Sequence, residues 1–394
     1  MIKKTILVIA IALLFVSCSS SSVDTNTSET NKQFLLNEQQ DYQEKSISLK
    51  LPSEYKKFTQ LVGADEEFYY FANNDDAKYW KHIAVNKNTH KVNSLANIDK
   101  NVDIKSQYGR YGQFYVATLK WEADQTNCKF AILDLTNPKK AENIYSKKSS
   151  GLPSIVPCGD YLAIQSNTET ECQLDLVNLF TKDIKTICST TYSINDMGKI
   201  NGTVIMGLEW DKPTPTTNGF AYEICNMDNE NIDIEKTKKQ NTVYYYSIED
   251  GKIIKMAPHY RPLDYVGGTA DYYITSDWQN NVAKDYIWIY LKEEGDYTAY
   301  SVPAADEAMG IIGSGVIGNN LFVAYTRDGF YILNIKDKTY IQKTYSTVFD
   351  SLSSEERKSL DYKNTITGFT FFQNIFTFSS FDGKTLALHE VSKK

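Results

Sequence analysis

Aromatic and arginine side chains that lie between apolar runs are the strongest candidates for function in this chain. Trp210, Trp278, Tyr260 and Arg261 fall in the polar stretches GLEWDKPTPTTNG, TSDWQNN and APHYRP. Connecting segments carry function when a rigid scaffold positions them, and aromatic rings and arginine are enriched at binding hot spots. We therefore predict that these four residues bind a protein or glycan partner. The alternative is that they only cover sheet edges and the walls of a channel.

Catalytic chemistry is less clearly indicated. The nucleophile motif G-x-S-x-G does not occur, and the four histidines lie in unrelated parts of the chain: His82, His90, His259 and His389. A Ser-His-Asp triad assembles only in space, so the sequence leaves it open without favouring it. A glycosidase needs only two carboxylates, and 49 acidic residues offer too many pairs to choose from. The second hypothesis is therefore a polysaccharide hydrolase or lyase with its site in a central channel and no assigned catalytic residue.

Two motifs that suggest cofactors have simpler explanations. Gly313 to Gly318 matches G-x-G-x-x-G but leads into NNLFVAYTRDG, a strand pattern, whereas a dinucleotide site needs a helix there. Asp228 to Asp233 offers oxygen ligands but lacks the glycine that lets an EF-type calcium loop turn back. We expect small residues packing on an inner strand in the first case and a solvated segment in the second. The sequence predicts no cofactor and no metal.

The cysteines that follow Cys18 show no C-x-x-C spacing; they are Cys128, Cys158, Cys172, Cys188 and Cys225. With only four histidines in the chain, a zinc site is not expected. Three of the cysteines fall on consecutive predicted strands, so one pair could bridge neighbouring strands. Buried free thiols that act as small apolar side chains are the equal alternative.

The N-terminus resembles the lipobox signal of bacterial lipoproteins. Two lysines precede the apolar run from Ile6 to Val16, and a serine followed by Cys18 ends it. This run is too short to cross a bilayer core of ~30 Å, so an export signal fits better than a membrane span. The resemblance implies that Cys18 is diacylated and becomes the first mature residue. It also implies a location in the bacterial cell envelope, at the outer membrane, its periplasmic face or the cell surface. An ordinary secretory signal with an incidental cysteine is the alternative.

Composition limits the remaining classes. Removal of residues 1–17 would leave 40 basic against 49 acidic residues, a formal charge of −9, with no basic stripe, so nucleic acid is not an expected partner. Residues 18–45 are polar and lack apolar periodicity, which is typical of a flexible tether. The 28 tyrosines and 13% aromatic content favour pleated, half-buried surfaces. The chain is predicted to be all-β.

A repeating pattern of short strands covers residues 46–394. Apart from a longer fourth repeat, starts of the repeats fall roughly 40 to 55 residues apart, which is typical of four-stranded β-propeller blades. The predicted repeats are 58–98, 104–148, 154–190, 193–258, 263–303, 309–346 and 364–394. The pattern resembles the propellers of bacterial exported proteins. Two stacked β-sandwiches are the competing architecture.

The two termini are predicted to close the ring. The last repeat shows three strands, and the lone strand pattern SISLKLP, Ser46 to Pro52, precedes the first. If this strand completes the last blade, no sheet edge is left exposed there. Seven blades follow from this count, and six is the alternative.

Overall fold

The computed structural model describes an all-β protein, which confirms the predicted fold class. The described residues are 32–37, 42–73, 81–97, 103–121, 127–194, 200–206, 219–227, 242–256, 265–268, 271–276, 287–293, 296–302, 313–317, 320–325, 329–344, 366–372, 375–381 and 386–393. Within them lie thirty strands and one short 3-10 turn, Ser53–Tyr55. Aromatic and β-branched residues in the inner strands of most units pack against neighbouring sheets on both faces.

The strands follow one another along the chain with few long interruptions. In order they are β1 (Lys32–Gln33), β2 (Leu35–Leu36), β3 (Tyr42–Leu49), β4 (Gln60–Ala64), β5 (Phe68–Asn73), β6 (Lys81–Asn86), β7 (Val92–Ser94), β8 (Asp103–Tyr111), β9 (Phe114–Trp121), β10 (Asn127–Asp134), β11 (Glu142–Ser150), β12 (Ser154–Cys158), β13 (Tyr161–Asn167), β14 (Glu171–Asn178), β15 (Ile184–Ile194), β16 (Ile200–Met206), β17 (Gly219–Met227), β18 (Thr242–Ser247), β19 (Ile253–Lys255), β20 (Tyr265–Gly268), β21 (Tyr272–Ser276), β22 (Ile287–Glu293), β23 (Asp296–Val302), β24 (Gly313–Ile317), β25 (Leu321–Tyr325), β26 (Gly329–Asn334), β27 (Thr339–Thr344), β28 (Ile366–Phe372), β29 (Ile375–Phe381) and β30 (Leu386–Lys393).

Consecutive strands pair antiparallel in four-stranded units, which we number in chain order. Unit 1 is β4–β7, unit 2 is β8–β11, unit 3 is β12–β15, unit 4 is β16–β19, unit 5 is β20–β23, unit 6 is β24–β27, and unit 7 is β28–β30 with β3. Units 3 and 4 form one eight-stranded sheet because the end of β15 pairs with the start of β16 over three residue pairs. The unit boundaries match the predicted repeats to within a few residues.

Unit 7 joins the last three strands of the chain to β3, a strand near the N-terminus. Its last strand, β3, pairs antiparallel with β30 in a register that sets Ser46 opposite His389. The predicted pairing of the N-terminal strand with the last repeat is therefore confirmed, although the strand covers Tyr42–Leu49 rather than Ser46 to Pro52. The strand starts earlier because Tyr42, on the same face of β3 as Ser46, is buried. It ends earlier because Pro52 leads into the 3-10 turn.

A short N-terminal segment, residues 32–37, crosses the outer edges of two units, and we call it the strap. Its strand β1 pairs parallel with β23 of unit 5, and its strand β2 pairs parallel with β27 of unit 6. Between them Phe34 is 2% exposed and lies edge-on to Tyr300, with ring centroids 5.8 Å apart. The sequence assigned this segment to the tether. The folded body therefore takes in the strap and the start of β3.

The apolar core is divided into clusters that lie between successive units. One cluster joins units 1 and 2, and others join units 2 and 3, 3 and 4, 5 and 6, and 6 and 7. Tyr245 of unit 4 and Tyr272 of unit 5 are both buried and close enough to interact electrostatically. A further cluster packs Leu388 of unit 7 against Phe71 of unit 1. Each unit thus buries its two faces against its neighbours, and the last unit packs on the first.

The turn from the third to the fourth strand repeats with the same chemistry in four units. It begins with Asn86, Asn178, Ser247 or Asn334, and the residue four positions later has a positive φ: His90, Lys182, Gly251 or Lys338. The Asn178 carboxamide accepts the backbone N–H groups of the next turn residues at 2.9 Å, as Asx side chains do in tight turns. In unit 4 this position is filled by a glycine, Gly251.

The two ends of the units differ in the length of their connections. Neighbouring strands run antiparallel, so the connections from first to second and from third to fourth strand lie at one end, which we call the tight-turn end. These connections have at most seven residues, except for 207–218 in unit 4. The other end, which we call the long-connection end, carries the second-to-third connections and the links between units. Its longest connections are 50–59, 228–241, 277–286, 303–312 and 345–365.

Candidate functional site

A serine, a histidine and a carboxylate form a chain of contacts across the closing strand pair of unit 7. Ser46 Oγ lies 2.8 Å from His389 Nδ1, and His389 Nε2 lies 3.3 Å from Glu44 Oε2. Glu44 and Ser46 share one face of β3 because strand side chains alternate. Lys343 of unit 6 donates a hydrogen bond to the other Glu44 oxygen. We call Glu44, Ser46, Lys343 and His389 the closing cluster.

The closing cluster lies between units 6 and 7, with His389 buried and the other three members half-buried. His389 is 2% exposed and packs against Phe330 and Phe378, whose ring centroids lie 5.9 and 5.1 Å from its own. Burial therefore lowers the pKa of His389 from its ordinary value, although Glu44 opposes the shift. Burial alone would raise the pKa of Glu44, but hydrogen bonds from His389 and Lys343 outweigh it and hold that pKa at about 2. At neutral pH the cluster thus contains a carboxylate and a neutral imidazole.

The closing cluster contains the residue types of a hydrolase triad, namely a serine, a histidine and a carboxylate. A second site in the molecule has a similar arrangement without being a triad, which favours a structural role for both. In unit 3, Asp175 occupies the third strand opposite Thr186, just as His389 occupies the third strand of unit 7 opposite Ser46. Thr186 donates to Asp175 at 2.8 Å, and Lys147 of unit 2 donates to it at 2.9 Å. Both sites therefore join a lysine on the fourth strand of one unit to buried polar groups of the next unit.

The opposite face of the closing strand pair carries another ion pair. Glu390, the residue after His389, points towards unit 1 and pairs with Lys87. The Lys87 ammonium also lies 4.7 Å from the centre of the Tyr69 ring, a cation–π arrangement. Both partners are largely buried, so the closing strand pair is joined by charge to both of its neighbours. A polar arrangement of this kind positions strands rather than substrates.

A small recess lies next to the closing cluster. Its volume is about 10 Å³, room for about one water molecule. Tyr42 of β3 and Tyr340 of β27 help to line it, together with Asn37 at the end of the strap. It is too small for a sugar or a peptide side chain.

The residues that the sequence nominated for function lie outside the described residues: Cys18, Trp210, Tyr260, Arg261 and Trp278. The strands that flank them are described and fix where their segments attach. Trp210 belongs to 207–218, which joins β16 to β17 at the tight-turn end. Trp278 belongs to 277–286, and Tyr260 and Arg261 belong to the link between units 4 and 5. Both of those segments attach at the long-connection end, so the sequence grouped residues from opposite ends.

The glycine-rich motif is a strand, as expected from the sequence. Gly313–Ile317 forms β24, the first strand of unit 6. A Cβ atom on Gly315 would lie 2.0 Å from Phe371 of unit 7, so glycine is required by close packing of neighbouring units. Gly318 and the acidic segment 228–233 lie outside the described residues.

The five described cysteines are free thiols, so no predicted strand-bridging disulfide forms among them. Four are buried and Cys188 is half-buried, and burial raises the pKa of Cys128 to about 11. In the part of the chain that the structure describes, no three His, Cys, Asp or Glu residues are grouped to hold a metal ion. No helix among the described residues is long and apolar enough to cross a membrane.

Comparison with known proteins gives similarity only among solved structures. No family model matches the chain, and no curated protein matches it. The β-propeller domain of the Trilobed protease from Pyrococcus furiosus aligns with a TM-score of 0.41 at 12% identity, covering 82% of this chain and 91% of that one. Oligogalacturonate lyase in complex with manganese aligns with a TM-score of 0.35 at 12% identity, covering 89% and 91%. The Neurospora crassa Pan2 WD40 domain aligns with a TM-score of 0.35 at 5% identity, covering 86% and 90%.

The sequence did not nominate the closing cluster. Its members are scattered, because Glu44 and Ser46 lie near the N-terminus whereas Lys343 and His389 lie some 300 residues later. One signal was present: in YQEKSISL every second residue from Glu44 to Ser48 is polar. A strand whose inward face is polar needs a polar partner.

Proposed function

We propose that the chain is a seven-bladed β-propeller, anchored to a bacterial membrane through Cys18, that serves as a binding module for a protein or glycan partner. Seven four-stranded units support this count, since each packs on the next and unit 7 packs on unit 1. Six blades would require β12–β19 to act as one. The three residue pairs that join β15 and β16 flank the connection 195–199, so they are better explained as the link between two blades.

The long-connection end is the proposed binding surface, and the asymmetry between the two ends is the observation that carries this proposal. Connections longer than about 12 residues in a compact domain are usually functional or disordered. Segments 228–241 and 345–365 exceed that length and attach at the long-connection end. The segments that contain Trp278 and the Tyr260-Arg261 pair attach at the same end. We therefore assign binding to Trp278, Tyr260 and Arg261, with Trp210 as the residue at the opposite end.

A binding role is favoured over the alternative, a polysaccharide hydrolase or lyase with its site in a central channel. First strands of neighbouring units approach closely: the Gly63 position of unit 1 would place a Cβ 2.4 Å from the Gly112 backbone of unit 2. These first strands would line a channel. Asp103 is the one carboxylate among their described residues. They therefore supply no carboxylate pair of the kind that glycosidases use.

The proposal is tested by capture from native membranes. The acylated chain is used as bait, its partners are identified by mass spectrometry, and acyl labelling of Cys18 is followed in the same preparation. Trp278→Ala and the double variant Tyr260→Ala/Arg261→Ala should each weaken capture at least tenfold, on the scale of hot-spot residues. Trp210→Ala is the matched control and should capture the partner as the wild type does. Equal loss in all three variants, or loss in Trp210→Ala alone, would contradict the assignment.

A further inference from the structure

The strap presents two bare leucines to solvent, at the one place where the described body leads back towards the proposed anchor. Leu35 is 69% exposed and Leu36 is 65% exposed. Both leucines form β2, whereas Phe34 directly before them is buried. Contiguous exposed apolar residues mark interaction sites more often than single ones do, so this surface is a candidate for contact with a partner.

We propose that this partner is the lipid bilayer: the strap surface, defined by Lys32, Leu35, Leu36 and Lys338, faces the membrane, and its leucines enter the interface. This inference rests on the proposed anchoring at Cys18. Only thirteen residues, 19–31, separate Cys18 from the strap. A flexible polar chain of that length has a mean end-to-end distance of about 20 Å and cannot exceed about 45 Å. The proposed anchor therefore keeps the start of the strap within that distance of the membrane.

Charge at the strap suits lipid headgroups. The ammonium groups of Lys32 and Lys338 lie 5.5 and 4.6 Å from the centre of the same Tyr300 ring. The Leu35 N–H donates to the Lys338 carbonyl at 3.0 Å, which fixes this lysine beside the leucines. Lys336 is exposed two residues earlier, next to Asp337, whose carboxylate accepts a hydrogen bond from Asn334. Leucines beside lysines on one surface are typical of segments that lie in the bilayer interface.

Contact with lipid would also orient the body. The strap runs along the outer edges of units 5 and 6, so the sheets would meet the membrane with an outer edge rather than with either end. The long-connection end would then face sideways, free to engage a partner along the membrane surface.

Depth-dependent quenching by brominated lipids tests the proposal directly. The lipidated chain carrying Leu36→Trp is reconstituted into vesicles of phosphatidylethanolamine and phosphatidylglycerol, and its fluorescence is compared with that of the lipidated wild type in brominated and plain vesicles. Ile184→Trp is the matched control, because Ile184 is an equally exposed aliphatic residue, 54% exposed, on an outer strand of unit 3. The tryptophan fluorescence that Leu36→Trp adds should be quenched by half or more in brominated vesicles. The fluorescence that Ile184→Trp adds should not be quenched.

Two outcomes would overturn the proposal: no quenching of the Leu36→Trp component, or equal quenching at Ile184→Trp. Both outcomes are measured only on protein that floats with the vesicles. A failure of anchoring is therefore recognised separately, as protein that does not float.

A chain that starts at Lys32 and carries no lipid gives an independent test. It should bind the same vesicles weakly, and Leu35→Ser with Leu36→Ser should reduce that binding at least fivefold. Unchanged binding in the serine variant would also contradict the proposal.

Discussion

At the junction of units 2 and 3, Lys147 meets a carboxylate, Asp175, on the third strand of the next unit. At the junction of units 6 and 7, Lys343 reaches across in the same way, but the equivalent third-strand position holds His389. The carboxylate there comes from Glu44 on β3, a strand from the other end of the chain. The first junction is complete within continuous units, whereas the second is complete only after the N-terminal strand has joined.

This difference indicates that the last unit is closed selectively. Without β3, Lys343 and His389 would face each other with no carboxylate between them, and burial of such groups is costly. The arrangement therefore favours a fourth strand with an acidic residue at the Glu44 position over any other strand that could pair with the β30 edge. Closure would then depend on charge as well as on strand pairing, and open chains would be poor templates for edge-to-edge association.

Truncation of the N-terminus should have the largest effect on stability. It separates the contribution of β3, which closes unit 7, from the contribution of the strap. A chain starting at Lys32 should melt like a chain starting at Cys18. A chain starting at Asp41 loses the burial of Phe34 and should lose about 2–3 kcal/mol of unfolding free energy. A chain starting at Pro52 also loses β3 and should lose about 5 kcal/mol or more and aggregate. Chemical denaturation measures all three, and equal stability of the Asp41 and Pro52 chains would refute the role of β3.

Acid should weaken the closing junction earlier than the junction of units 2 and 3. The pKa of His389 is lowered in the fold, so the unfolded chain binds the extra proton, and stability falls as pH decreases below about 6.5. The pKa of Glu44 is also lowered, to about 2, so its contribution is present above about 4.5 and is lost as pH falls towards 2. The slope from His389 should not exceed about 1.4 kcal/mol per pH unit.

The matched variants for that experiment are His389→Gln and Asp175→Asn, with unfolding free energies measured from pH 7.5 to 5. His389→Gln should flatten the dependence over this range. Asp175→Asn should be less stable throughout but should keep the wild-type slope. Because the pKa of Asp175 is lowered, its contribution to stability is lost only at lower pH. A wild-type slope in His389→Gln would show that the imidazole does not carry this dependence.

Much of the fold could be predicted from the sequence because it depends on local alternation. Unit 2, predicted at 104–148, spans Asp103–Ser150, since aromatic and β-branched runs separated by polar turns determine strands directly. The recurring turn that starts at Asn86 or Asn178 could also have been found by aligning the repeats.

The strap and the closing cluster could not be predicted, for physical reasons. Phe34, Leu35 and Leu36 form a single run of three apolar residues in a polar stretch. Strands β1 and β2 are each two residues long and pair parallel with distant strands, so no periodicity marks them. The contact between Glu44 and Lys343 depends on tertiary packing. The nominated aromatic residues were chosen by residue type and by their position between apolar runs, and only the strand topology shows that the segment of Trp210 attaches at the end opposite to that of Trp278.

A double-mutant cycle on Glu44 and Lys343 tests the closing junction most directly. Glu44→Gln, Lys343→Met and the combined variant are compared with the wild type by unfolding free energy. The parallel cycle uses Asp175→Asn and Lys147→Met at the junction of units 2 and 3. We predict a coupling energy of about 1–3 kcal/mol in both cycles. In the chain that starts at Pro52, which lacks Glu44, Lys343→Met should no longer destabilise. A coupling energy below about 0.3 kcal/mol for Glu44 and Lys343, beside an intact coupling of Asp175 and Lys147, would contradict closure by charge.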